Sequence, residues 1–284
     1  MLNIKAPAKL NLTLEVLGKR PDSFHEIRSV IQTINLYDNI TMQLSRNIDF
    51  RSDMTEWNSE KSLVSQAIIL VQQAAGCSKG VTIDINKHIP LESGLGGDSS
   101  DAAAVMSGLN QLWELNLSRE KLVELASHLG SDVAFFLYGG TAFLYGRGEM
   151  VKQLPSLTGI WLVLLVPPIT SFSGKTGWLY ASLKAKHYTK GRITDRLANA
   201  LSRSKEIKAG NLYNVFDKVA FNTFTGLEDY REYFLQTGID NVHVAGSGPV
   251  LYTLVKNKDE AEKIYFHLWQ QGLEAYLVET LSAI

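Results

Sequence analysis

The chain has 284 residues, 45% of them hydrophobic, enough to bury one large core or two ordinary ones. With 28 basic against 29 acidic residues and no basic block, nothing in it favours a nucleic-acid backbone or an anionic membrane surface, so small molecules are the expected partners. A single cysteine, Cys77, excludes intrachain disulfides and a cysteine-built metal site, and reads as a buried or idle thiol. The opening MLNIKAPAKLNLTL has no signal-peptide core and the most apolar run, Ile160 to Val166, is too short to cross a bilayer, which makes the cytoplasm the expected compartment.

Leu10 to Leu17 alternates apolar and polar residues as a half-buried strand, and Ile27 to Leu44 reads as two further strands broken near Tyr37-Asp38-Asn39. Ser62 to Ala75 spaces Leu63, Ala67, Leu70, Val71 and Ala74 as a helix stopped by Gly76, and Val81 to Ile85 is a strand. Pro90 to Ala104, PLESGLGGDSSDAAA, then runs a glycine-rich loop into a helix start. Gly94, Gly96 and Gly97 can adopt backbone angles closed to residues with a Cβ, so several amides can turn toward one point. Ser99, Ser100 or Asp101 can cap the following helix, whose N-terminus carries about half a positive charge. Together these parts make an anion cradle suited to a phosphate. It is neither a Walker loop, which needs Lys after its last Gly, nor a dinucleotide fingerprint. Val105, Met106, Leu109 and Leu112 continue the helix; a second begins at Ser118, capped toward Lys121, with Leu122, Leu125 and Leu129 inward and Gly130 as its stop.

Beyond Pro155 the pattern restarts with a buried strand, Ile160 to Val166, and the Pro167-Pro168 turn, which puts a soft unit boundary between about residues 150 and 160. Ser173-Gly174-Lys175-Thr176 imitates the end of a Walker loop, but Ile169 stands where its first Gly belongs, so the segment reads as a helix start. Leu212 to Phe221, Leu227 to Thr237 and Glu260 to Gln271 read as helices, and Val242 to Ala245 and Val250 to Val255 as strands around Gly246-Ser247-Gly248-Pro249. Two mixed αβ units with a cleft between them are expected.

Four segments, Ala6 to Leu12 (APAKLNL), the glycine loop, Leu129 to Phe136 (LGSDVAFF) and Gly246 to Pro249, stand in the order and spacing of the GHMP small-molecule kinases, and the chain resembles that superfamily over nearly its whole length. Lys19 to Glu26 (KRPDSFHE) and Gly146-Arg147-Gly148-Glu149 resemble most the branch acting on a cytidine diphosphate-linked methylerythritol. The resemblance implies an α+β fold with an N-terminal ATP-binding domain, residues 1–155, a C-terminal ferredoxin-like αβ domain, residues 156–284, and an active site in the cleft. It implies ATP-dependent phosphorylation of the 2-hydroxyl of that substrate on the non-mevalonate route to isoprenoid precursors. Asp132 becomes the base and Lys9 the group that orients it, lowers its pKa and steadies developing charge, a pairing with clear physical sense. Pro90, Leu91, Glu92, Ser93, Gly94, Leu95, Gly96, Gly97, Asp98, Ser99 and Ser100 become the ATP loop, with Ser99 offering a hydroxyl to ATP-bound magnesium. Asn11, Phe24 and His25, with Asp132, fall to the substrate; Phe24 offers a flat face for a base and His25 a polar edge. Trp178 or Tyr180 could stack on the other face. Oligomeric state, monomer or homodimer, stays open.

Several positions depart from the family's pattern. Asp98 stands where the family has Gly, so its carboxylate should point away from the phosphates or be offset by a cation, and Glu92 adds a second negative charge. Ser23 and Phe24 replace Gly and Tyr, Ser131 and Ala134 replace Ala and Pro beside Asp132, and Ser62 replaces an Asn near the adenine. Mevalonate-, homoserine- and galactose-type members share the loop, and the same fold could hold a nucleotide or metabolite as a sensor, for which Asp98 and Glu92 are the best support. The His25 segment favours the cytidyl substrate. Lys9 and Asp132 argue against a sensor, which has no use for a base aimed at a hydroxyl.

Overall fold

A computed structural model describes residues 1–60 and 62–283. The opening strand is longer than its alternation suggests: β1 spans Leu2–Lys19 and is buried from Ala6 to Val16, because both of its faces are covered. β2, His25–Ser45, pairs with it antiparallel as one strand of 21 residues. The expected break near Tyr37-Asp38-Asn39 is absent, since an irregularity absorbs it: Pro7 faces Tyr37 while Ala8 faces Ile34, leaving Asn35 and Leu36 as extra residues on β2.

After β3 (Ile48–Ser52) come α1 (Leu63–Ala75), β4 (Gly80–Asn86), α2 (Gly97–Leu112), α3 (Arg119–Leu129), α4 (Ser131–Phe136), β5 (Thr141–Gly146) and β6 (Met150–Gln153). β4 and β5 both pair with β2, β4 along Asn39–Ser45 and β5 along Ile27–Gln32, so β2 changes neighbour across its irregular stretch. Val64, Ile68 and Val71 of α1 and Val105, Met106 and Leu109 of α2 pack on this sheet. Ser62 caps α1 by accepting the Val64 amide, and Gly76 ends it at φ 61°.

The second half carries β7 (Trp161–Val166), α5 (Lys175–Ser182), α6 (Arg192–Ser202), β8 (Tyr213–Asn214), α7 (Ala220–Thr223), α8 (Leu227–Leu235), β9 (His243–Val244), β10 (Leu251–Val255), α9 (Lys258–Gln270) and β11 (Glu274–Glu279). Its four-stranded sheet has the order β11-β7-β10-β9. The helix expected over Leu212–Phe221 does not form. Asn214 prevents it, spending its side-chain amide on the carbonyls of Val244 and Gly246 and capping Phe216, so the segment becomes β8, a 3-10 turn and the start of α7.

The halves are tied by more than the linker. β8 adds parallel to β1, and Ala8, Leu10 and Leu12 of β1 share a core with Leu162, Leu164 and Tyr252 of the second sheet. Leu281 donates its amide to Thr33 O at 3.0 Å and accepts from Gln32 Nε2 at 2.7 Å. Cys77 is a half-buried free thiol. Among the described residues no helix is long and apolar enough to cross a membrane.

Candidate active site

A cavity of about 440 Å³ opens between the halves, where β1, the loop before α2, the start of α4 and the Gly246 turn converge. Lys9, from β1, is 5% exposed; its ammonium lies 3.2 Å from Asp132 Oδ2 and donates to Asn11 Oδ1 at 2.9 Å. Asn11 Nδ2 donates to Ser29 Oγ at 2.9 Å, and Tyr252 donates its hydroxyl to the Asn11 carbonyl at 2.7 Å, so the Lys9 acceptor is fixed from both sheets. Asp132 stands in the first turn of α4 with a third of its side chain exposed, which leaves its carboxylate open to a ligand.

The glycine loop is stitched to these residues. Lys9 donates its backbone amide to Leu95 O at 2.9 Å. A Cβ on Gly96, at φ +77°, would lie 3.0 Å from Lys9 Cε, and one on Gly94, at φ +88°, would lie 2.0 Å from the Ala245 carbonyl oxygen. The glycines therefore serve less as joints than as clearance for the lysine stem and for the opposing turn. Helix α2 begins at Gly97 with Gly96 at its N-cap and no side-chain cap. The cap expected from Ser99, Ser100 or Asp101 is thus corrected: left-handed Gly96 lets the helix start earlier and places all three inside it. The first amides of α2 keep no side-chain acceptor where Gly96, Gly97, Asp98 and Ser99 line the cavity, the arrangement that receives an anion.

Asp98 is spent on another helix. Its carboxylate accepts the Ser62 hydroxyl and, at 3.0 Å, the Leu63 amide, completing the N-terminus of α1. Glu92 is exposed at φ 50°, and its carbonyl, not its carboxylate, is engaged.

Two features escaped the sequence reading. Lys87, buried, bridges Asp38 Oδ2 at 2.5 Å and Asp101 Oδ2 at 2.7 Å, and Asp38 Oδ1 accepts the amides of His88 (2.6 Å) and Ile89 (2.8 Å), where the loop begins. Burial pulls the Lys87 ammonium down, but Asp101 and Asp38 outweigh it and hold its pKa above the usual value. One ammonium cannot neutralise two carboxylates, so burial pushes Asp101 well above the carboxylate range. Partners separated by 49 and 14 residues have no signature in a single sequence. The second is Lys175, the first residue of α5: the Ser173–Thr176 segment starts a helix as expected, after Gly174, but its lysine turns inward and donates to the carbonyls of Glu92 and Gly248.

The cavity brings together Lys9, Asn11, Asp132 and the loop residues Pro90 to Gly94 and Gly96 to Ser99; Leu95 and Ser100 are buried beside it, off its lining. Phe24 and His25 stand one layer out. The Arg147 guanidinium lies 4.7 Å over the exposed Phe24 ring, and His25 stacks on Tyr180 at 4.9 Å and 17°; Arg147 and Tyr180 line the cavity themselves. Burial, then Lys19, lowers the His25 pKa, which keeps the imidazole neutral near pH 7. Trp178 is exposed, off the cavity lining.

Residues 62–140 match the GHMP kinases N terminal domain and residues 195–274 the GHMP kinases C terminal domain. The 4-diphosphocytidyl-2-C-methyl-D-erythritol kinase of Dehalococcoides mccartyi is 47% identical over 284 residues, 100% of both chains. This chain belongs to the 4-diphosphocytidyl-2-C-methyl-D-erythritol kinase family. The enzyme of that name from Geobacillus kaustophilus is 36% identical over 269 residues, covering 93% of this chain and 91% of its own. A crystal structure of a 4-(cytidine 5'-diphospho)-2C-methyl-D-erythritol kinase superposes at a TM-score of 0.82 with 28% identity, over 98% of this chain and 99% of that one. Homoserine kinase from Cytophaga hutchinsonii shares the fold at a TM-score of 0.74 with 17% identity, over 99% of this chain and 95% of its own.

Proposed function

We propose that this chain transfers the terminal phosphoryl group of ATP to the 2-hydroxyl of 4-diphosphocytidyl-2-C-methyl-D-erythritol. The observation that carries the reading is the Lys9–Asp132 pair at 3.2 Å, in one cavity with a helix N-terminus that no side chain caps. The α2 amides hold the phosphates through hydrogen bonds and the helix dipole. Asp132 accepts the hydroxyl proton as the new O–P bond forms and the bond to the ADP oxygen breaks; Lys9 orients the carboxylate and stabilises charge on the transferring group. Such a reaction asks the protein mainly for in-line positioning and electrostatics, which two fixed charges and a fixed loop supply.

Magnesium fits this site as an ion carried in by ATP. Ser99 puts a hard hydroxyl oxygen on the cavity wall, and among the described residues no three His, Cys, Asp or Glu side chains gather to hold a metal on their own. Phosphates and waters fill most of an octahedral shell, and the ion would neutralise charge on the phosphoryl oxygens. Asn11, Phe24 and His25 serve the cytidyl and methylerythritol groups, with neutral His25 offering one donor and one acceptor to the base edge. The chain divides at residues 155 and 156 into the nucleotide half and the half that closes the cleft.

The test is coupled detection of ADP release with the cytidyl substrate, run beside mevalonate, homoserine and galactose. Turnover with the first alone supports the reading, and turnover with none sinks it. Asp132→Asn should lower kcat by about 10²- to 10⁴-fold with ATP affinity little changed, because the substitution spares the phosphate cradle. Full activity in that variant would take the base assignment away from Asp132.

A further inference from the structure

Lys175 has no part in the chemistry above, yet it occupies an unusual place. It projects from the start of α5 in the second half, is 8% exposed, and lines the same cavity as Lys9, Gly96 and Asp132. Both acceptors of its ammonium are main-chain carbonyls, Glu92 O in the glycine loop and Gly248 O in the opposing glycine turn. None of the ion pairs among the described residues includes it. An ammonium has three donors, so one N–H and the whole charge are left over.

A strut between two carbonyls needs no charge, and burying an unpaired cation beside a second one is costly. The charged side chains bearing on it are Glu92 from the loop and Lys9 from β1; Asp132, Asp98, Lys87 and Arg147 line the same cavity. Burial lowers the Lys175 pKa to about 8, Lys9 adds to the fall and Glu92 opposes it. Such a group becomes favourable when an anion arrives between the two lysines, and the cavity is built around a loop whose free amides invite one.

We propose that Lys175 is a phosphate ligand delivered from the second half, giving its unused N–H and its charge to the terminal phosphate of ATP while its other two donors hold the glycine loop against the Gly246–Pro249 turn. It supplies from across the cleft the lysine that a Walker loop carries within itself, and the phosphate so held faces the hydroxyl that Asp132 deprotonates. The inference rests on the ATP reading above.

The test compares the intact wild-type chain with Lys175→Met, Lys175→Gln and Lys175→Arg. Calorimetry with magnesium ATP and with AMP should show about 10- to 100-fold weaker ATP binding in the Met and Gln variants, the loss of one charge-assisted hydrogen bond, with AMP unchanged. Lys175→Gln keeps an amide donor for one carbonyl and stands in if the Met variant fails to fold. Wild-type kcat/KM for ATP should fall as pH rises through about 8, where the Lys175 proton is lost. In Lys175→Arg, whose guanidinium stays protonated, ATP affinity should return in part and the alkaline fall should move up. Equal weakening of ATP and AMP, unchanged ATP binding, or an alkaline limb that stays in place in the Arg variant would each overturn the proposal. A wild-type chain that binds no ATP overturns the kinase reading and this inference with it, whereas a wild-type chain that binds ATP beside variants with no selective loss of it overturns this one alone.

Discussion

Replacing Lys87 by methionine removes the only positive charge from a cluster of three that the fold shields almost wholly from water: the Lys87 side chain is 1% exposed and those of Asp38 and Asp101 are 0%. Breaking a buried ion pair from one side costs about 3–5 kcal/mol, because the remaining charge is left unpaired. Here two carboxylates are left, and Asp101 Oδ1 already lacks a partner, so the upper part of that range applies. For 284 residues, an unfolding entropy near 2.1 cal/mol/K per residue gives about 0.6 kcal/mol/K, and a loss of about 4–5 kcal/mol lowers Tm by roughly 7–8 °C. The pH dependence has a definite sign. Because burial raises the Asp101 pKa, its favourable contribution is present in acid and lost as pH climbs through the folded-state value. Without Lys87 that value rises further, so the deficit of the variant is greatest at neutral pH and narrows on acidification. Salt should matter little, since the cluster is buried. Thermal unfolding of both chains at pH 7 and pH 5 measures this, and a KM for ATP measures the consequence for the loop whose first amides Asp38 holds. A Tm shift under about 2 °C, or one equal at both pH values, would refute the reasoning.

Asp98→Ala removes the acceptor for the Ser62 hydroxyl and the Leu63 amide, and should cost about 1–2 kcal/mol in urea unfolding while KM for ATP stays level or falls. A rise in KM with no loss of stability would instead place that carboxylate on the nucleotide. Gly94→Ala forces a Cβ to within 2.0 Å of the Ala245 oxygen at φ +88°, and should cost about 3–5 kcal/mol and separate the two glycine turns, read as lost ATP binding together with a lowered Tm.

What the sequence disclosed and what it hid follow one physical line. Lys9 and Asp132 are undistinguished locally, a lysine in a strand and an acid after a helix stop, and were singled out only because four motifs stand in register with a known family; the fold brings the two to 3.2 Å. The anion cradle was legible because glycine spacing is a backbone property. Its cap was misread, since Ser99, Ser100 and Asp101 satisfy the usual N-cap preferences while Gly96, which has no side chain to advertise itself, holds the position. Asn214 defeated the periodicity of Leu212–Phe221 through two carbonyls some 30 residues away. Lys175 sits in a string that fails as a Walker loop, and its use depends on two carbonyls 83 and 73 residues distant. The odd carboxylate at Asp98 makes sense only beside Ser62, another departure from the family's pattern, whose hydroxyl donates to it and with which it completes one helix end.

The contact between Gln32 and Leu281 joins positions 249 apart, and β1, which carries Lys9, gains its outer neighbour only from Tyr213 and Asn214. Tyr213 and Asn214 lie 200 residues beyond their partners Thr13 and Leu14 on β1, and at synthesis rates of about 5–20 residues per second that span takes roughly 10–40 s to emerge. For that time the strand bearing Lys9 exists with one edge unpaired, a template for other strands unless something covers it. The cavity that Lys9 lines draws on residues as late as Gly246 and Ser247, so it is among the last parts of the molecule to be finished, and an interrupted chain leaves the ribosome with its lysine in place and no cavity around it.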